Sequence, residues 1–173
     1  MYEISEKLII CGQGGSGKDY LLRQLKDRGF KTSVKTTTRP KRIAETEGID
    51  YLFKSIEQFD SCDMLVREKF YNHVGDEWLY GVEKTQFDKG DAFIMTPGEI
   101  NQLPKDIRKN CFVVFLNIDE SVRRNRLSKR KDYNDSSERR LKADKQDFEN
   151  FTDYDMSVQD PEFVVDDIIS LMD

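Results

Sequence analysis

The chain has no apolar run of eighteen residues, so nothing in it reads as a membrane-crossing helix. Its start shows no basic segment followed by an apolar stretch, and no secretory leader is expected. It has no Cys-x-x-Cys pair; its three cysteines, Cys11, Cys62 and Cys111, stand far apart, two of them inside apolar runs. Such spacing points to buried thiols in a reducing compartment rather than to a disulfide frame or a zinc site. There is a single histidine, His73, beside a turn signal, and it is given no role. Internal repeats and low-complexity linkers are missing. A surplus of positive charge is missing too: 28 Lys and Arg against 33 Asp and Glu leave a net charge of −5, which argues against a general nucleic-acid binder. What remains is a cytoplasmic chain with one domain over residues 1–173, large enough to bury a core. Nothing in the pattern fixes an oligomeric state.

Three continuous apolar runs stand out: 8–11, 92–95 and 111–116. Each reads as a strand buried on both faces of a parallel sheet. Helical patterns lie between and after them, at about 17–28 (closed by Gly29), 55–67, 83–89 (closed by Gly90), 119–130, 136–150 and 162–172, with a last strand near 155–158. Shorter strands are expected near 32–37, at 51–53 and within 68–82. Strands alternating with helices define an α/β fold with ligands at the C-terminal strand ends.

The first run leads straight into Gly12-Gln13-Gly14-Gly15-Ser16-Gly17-Lys18-Asp19, and an amphipathic helix follows with Tyr20, Leu21, Leu22 and Leu25. Strand, glycine loop and helix start are the context a phosphate-binding P-loop requires. Glycines let backbone N–H groups turn inward onto phosphate oxygens, the helix N-terminus adds partial positive charge, and Lys18 reaches the terminal phosphates. ATP with Mg2+ is the expected donor system, held by Gly12, Gly14, Gly15, Ser16, Gly17, Lys18 and Asp19. The last position departs from the usual pattern, which places Ser or Thr on the magnesium. Asp19 is the metal ligand expected instead, since a carboxylate can bind Mg2+ directly or through water.

A phosphate acceptor needs a second site facing the first. Arg39 and Arg42 with Tyr51 supply it: two guanidiniums can grip a monophosphate and a phenol can add a donor. At this point a family resemblance becomes specific. The stretch TTTRPKRIAETEGIDYLF resembles the substrate-phosphate segment of guanylate kinases, with Arg39, Arg42, Glu45, Gly48, Asp50 and Tyr51 at the family's spacing. Tyr80-Gly81 is similar to the family's Tyr-Gly, and Arg126-Leu127, Arg130 and Arg140-Leu141 are similar to its lid. The resemblance implies a P-loop NTPase-type three-layer fold with a central parallel sheet plus NMP-binding and lid insertions. The core would be 1–34, 83–125 and 142–173, the substrate insertion about 35–82 and the lid about 126–141. It implies a kinase of a nucleoside or deoxynucleoside monophosphate, with Lys18, Arg130 and Arg140 catalytic and Arg126 on the ATP side.

The base half of the acceptor site departs from the family. Its serines fall on Lys35 and Val82, its guanine-reading acid falls near Glu68 and Lys69, and its acidic strand end is replaced by Thr96-Pro97-Gly98 with Glu99 beyond. Lys35, Arg39, Arg42, Tyr51, Tyr80 and Val82 are the expected substrate-binding set, and the base expected from these departures is other than plain guanine. Two further readings compete. Kinases of ribose 1,5-bisphosphate also resemble the chain, through Gly-Ser-Gly-Lys-Asp and Tyr80-Gly81-Val82. Guanylate kinase-like modules that only bind phosphopeptides are the other, although these typically lose the P-loop that is intact here.

Overall fold

The computed structural model describes residues 6–72, 74–129 and 137–172, with the backbone alone at 137, 139 and 140. Strand β1 (Lys7–Gly12) is central to the molecule. It pairs in parallel with β6 (Ala92–Ile94) on one side and with β7 (Cys111–Leu116) on the other, and β7 pairs in parallel with β8 (Met156–Val158). The order β6-β1-β7-β8 is an all-parallel sheet. Its side chains alternate between two packed layers. Leu8, Ile10, Val114 and Leu116 face Leu21 and Leu25 of α1 (Lys18–Asp27) and Val165 and Ile168 of α8 (Val165–Ile169). Ile9, Cys11, Phe93 and Val113 face the other way, toward Phe87 of α3 (Lys84–Lys89) and Ile100 of α4 (Pro97–Gln102). Continuous apolar runs are needed because both faces of each strand are covered, as the sequence predicts. The result is the three-layer α/β fold.

A second sheet stands beside the first. It has the order β3-β2-β5-β4, from β2 (Thr36–Thr37), β3 (Leu52–Phe53), β4 (Met64–Tyr71) and β5 (Glu77–Glu83). Here the expected helix over 55–67 is corrected. Only α2 (Ile56–Asp60) is helical, started by a Ser55–Gln58 capping box, and the chain turns at Ser61 and enters β4. Ile56, Phe59 and Leu65 are the apolar residues behind that expectation, but residues 64–71 gain a seven-residue antiparallel partner in β5, and the ladder outweighs the local pattern. Val66 and Val82 face each other across this ladder and bury themselves against the first sheet's second layer.

The remaining helices are α5 (Lys105–Arg108), α6 (Glu120–Ser128), which Asp119 caps through the Ser121 N–H, and α7 (Ser137–Phe148). The last helix is shorter than expected, α8 covering five residues rather than eleven. Among the described residues no helix is long and apolar enough to cross a membrane.

Candidate active site

The loop from β1 to α1 winds tightly because Gly15 and Gly17 adopt left-handed φ of +78° and +101°, which side chains disfavour. Position 15 has no room either, since a Cβ there would lie 2.8 Å from the Arg123 carbonyl. Lys18 folds back over the loop, and its Nζ donates to the Gly12 and Gln13 carbonyls at 2.6 and 3.1 Å. Burial lowers its pKa, and the charges of Asp144 and then Asp19 oppose that most strongly. Ser16 is buried with a hydroxyl that has no partner among the described residues. The Arg126 guanidinium lies at the loop's rim, donating to the Gly15 and Pro161 carbonyls at 3.1 and 3.3 Å. With Gly17, Asp19, Tyr20, Arg23 and Phe163 it lines an outer cleft of about 380 Å3.

A second cavity, of about 290 Å3, joins this loop to the second sheet. Lys18 and Asp19 form one wall; Lys35, Asp50, Tyr51 and Val82 form the other. Asp19 lines both spaces, at the head of α1. That set fits a triphosphate and one Mg2+: a glycine loop at a helix N-terminus, a buried ammonium, and the Asp19 carboxylate for a cation that keeps several waters. Among the described residues no group of three or more His, Cys, Asp or Glu side chains forms a self-sufficient metal cage.

Behind Tyr51, outside the residues that line the cavity, stands Arg39, which is 5% exposed. Its guanidinium forms a bidentate pair with Glu45, at 2.6 and 3.1 Å, and its Nε donates to the Tyr80 hydroxyl at 3.1 Å. Tyr51 stacks over it at 5.3 Å and meets Tyr80 edge-on. The Arg42 backbone N–H donates to the same Glu45, so one carboxylate sets the geometry of the whole Arg-x-x-Arg turn. Burial raises the Tyr51 pKa, keeping the phenol protonated and able to donate. Tyr51, Tyr80, Arg39 and Arg42 are therefore brought together by the fold.

Lys35 and Val82 line the cavity as well, in different surroundings. Val82 is buried, part core and part cavity wall. Lys35 donates to Glu99 at 2.5 Å, and Glu99 is fully buried. Burial works against the Lys35 charge, but Glu99 outweighs it and raises the pKa. Glu99 reaches this position because it closes a capping box with Thr96 at the head of α4. Glu99 thus places a carboxylate just beyond the end of β6. Beside it, Glu68 of β4 accepts the Thr96 hydroxyl at 2.6 Å, and burial raises its pKa. Gly98 leaves the space that the Glu68 carboxylate fills.

Of the expected catalytic arginines, Arg130 lies outside the described residues. Arg140 is on α7, and its side chain lies outside them as well. Sequence reasoning missed Asp144, whose carboxylate accepts the Gly14 N–H at 2.6 Å, and Arg123, buried behind Gly15. Only their place beside the lid segment hinted at either.

Glycine loop, parallel sheet and a facing arginine pocket define a P-loop kinase of the mononucleotide-binding class. The guanylate kinase family model matches residues 5–172, and the chain belongs to that family. It is 30% identical over 172 residues to the guanylate kinase of Mycoplasma genitalium, covering 90% of this chain and 69% of that one. It is 30% identical over 165 residues to the guanylate kinase of Bacillus anthracis, covering 88% and 78%. The crystal structure of guanylate kinase from Anaplasma phagocytophilum superposes with a TM-score of 0.64 at 19% identity, covering 99% of this chain and 86% of that one, a likeness of fold.

Proposed function

We propose that the chain transfers the terminal phosphoryl group of ATP to a guanine nucleoside monophosphate, giving the diphosphate. The observation that carries this reading is the single cavity with Lys18 and Asp19 on one wall and Lys35 and Tyr51 on the other, which lets donor and acceptor phosphates meet. Arg39, Arg42, Tyr51 and Tyr80 hold the acceptor phosphate. Lys18 and the loop amides hold the triphosphate, with Arg126 at its outer end. Asp19 is the residue that would hold Mg2+, which neutralises charge on the phosphates when bound. An acceptor phosphate oxygen forms the new bond to the terminal phosphorus of ATP as the bond from that phosphorus to the bridging oxygen breaks, and the bridging oxygen leaves on ADP. Such a loose transition state needs positioned cations rather than a strong base, and Arg130 and Arg140 are the lid cations we assign to it.

Guanine is favoured over the other base expected from Lys35 and Val82. A purine with N–H donors on one edge and acceptors on the next suits Glu68 for the donors and the Lys35 ammonium for the acceptors. A phosphorylated sugar is the second reading, favoured by two ammoniums, Lys18 and Lys35, lining one cavity. The intact loop weighs against a purely phosphopeptide-binding module.

An ADP-release assay with ATP and Mg2+ against every ribo- and deoxyribonucleoside monophosphate, plus ribose 1,5-bisphosphate, tests the proposal. The expected result is turnover with GMP or dGMP above all others. Turnover confined to another base or to the sugar phosphate would replace guanine, and silence with every acceptor would sink the kinase reading.

A further inference from the structure

One anionic side chain sits on the phosphate loop itself. Asp144, two turns into α7, accepts the Gly14 N–H at 2.6 Å, a short, charge-assisted bond. The cations it supports are both buried. Among the charges near Lys18, Asp144 does most to support the ammonium, and it is also the charge that most supports the Arg123 guanidinium. Arg123 is 4% exposed, and its Nη1 has no partner among the described residues. A loop amide, an ammonium and an under-satisfied guanidinium are the surroundings of a bound anion, and here the anion is part of the chain.

We propose that the Asp144 carboxylate stands in for the terminal phosphate of ATP on the P-loop, so that nucleotide entry must displace it and move α7. This rests on the reading of the loop as an ATP site. A phosphate oxygen and a carboxylate cannot share one amide at that distance, and like charges in so buried a place repel. Arg140 lies one turn before Asp144 on the same helix. Release of Asp144 therefore frees α7 from the loop, and triphosphate binding and movement of this helix become one event. ADP lacks the third phosphate that would compete and would leave the contact in place.

The test is calorimetric titration of the full chain with ATP and with ADP, with no acceptor present, for wild type, Asp144→Ala and Asp144→Asn. The Ala variant is expected to bind ATP about 3- to 10-fold more tightly, the scale of one lost competing hydrogen bond, with ADP affinity changed by less than about twofold. Asn keeps the shape without the charge and should fall between. Without nucleotide, Asp144→Ala should melt a few degrees lower, and its upward shift on adding ATP should exceed that of wild type. A residue that merely braces the loop would lower both the melting temperature and the ATP affinity. Unchanged or weaker ATP binding in both variants, while wild type binds ATP and phosphorylates an acceptor, would overturn this inference and leave the kinase reading standing. Failure of all three proteins to bind either nucleotide would overturn both.

Discussion

The two walls of the cavity are made differently. The donor wall is mostly backbone: glycines, turned amides and one lysine within eight consecutive residues. The opposite wall is mostly side chain, held from behind by pairs that meet only after folding: Lys35 of the wall with Glu99, and beyond the lining Arg39 with Tyr80 and Glu68 with Thr96. A backbone site is specified by spacing and tolerates change in neighbouring side chains. A side-chain site is specified by identity, and one exchange rewrites it. The loop accordingly keeps its glycines and Lys18, departing only at Asp19, while Lys35 and Val82 stand where the family resemblance leads one to expect serines.

The largest effect should come from the donor wall. Lys18→Met is expected to cut kcat by about 10²–10³-fold, the usual scale for one lost transition-state cation. Asp19→Ala should abolish magnesium-dependent turnover while leaving the far-ultraviolet circular dichroism unchanged; full activity in that variant would place the metal elsewhere. On the acceptor side, Arg39→Ala should raise KM for the monophosphate by roughly 10- to 100-fold, as expected for a lost charge-assisted contact, with ATP binding almost untouched. If ATP binding fell equally, the two walls would not be separable. Glu68→Gln should lower kcat/KM for GMP by about 10-fold and cost less with a nucleotide lacking the 2-amino group, a comparison that isolates base reading from phosphate reading.

The smallest effect concerns pH. Burial opposes ionisation of Glu45, but its bonds from Arg39 and the Arg42 amide prevail and hold its pKa below the ordinary value of 4.5. A depressed carboxylate stabilises the fold above its unfolded pKa and loses that contribution as pH falls through the folded one. Glu45→Gln should thus be less stable than wild type at about pH 7, and urea titrations should show the gap closing below about pH 4.5.

These differences also explain what could be read before folding. The parallel sheet was legible because strands covered on both faces must be continuously apolar, as Leu8–Cys11 and Cys111–Leu116 are. The glycine loop and the turn from Arg39 to Tyr51 were legible as motifs because both are local. Strand β4 was not, since residues 64–71 take their conformation from β5 rather than from their own spacing. Nor was the partner of Lys35, which lies 64 residues away, or that of Gly14, which lies 130 away. Both pairs depend on helices being placed against a strand end, and spacing alone does not encode such meetings.

The position of β1 carries one more consequence, for the order of events in synthesis. Its strand partners begin at Ala92 and Cys111, so this first strand leaves the ribosome long before anything exists for it to pair with. The second sheet, by contrast, draws all its strands from Thr36 to Glu83. That sheet can therefore gather first, while the glycine loop, though earlier in the chain, takes shape only after β7 emerges. Slow elongation after Leu116 should help this protein fold, and a pause before it should leave an apolar strand waiting in solution.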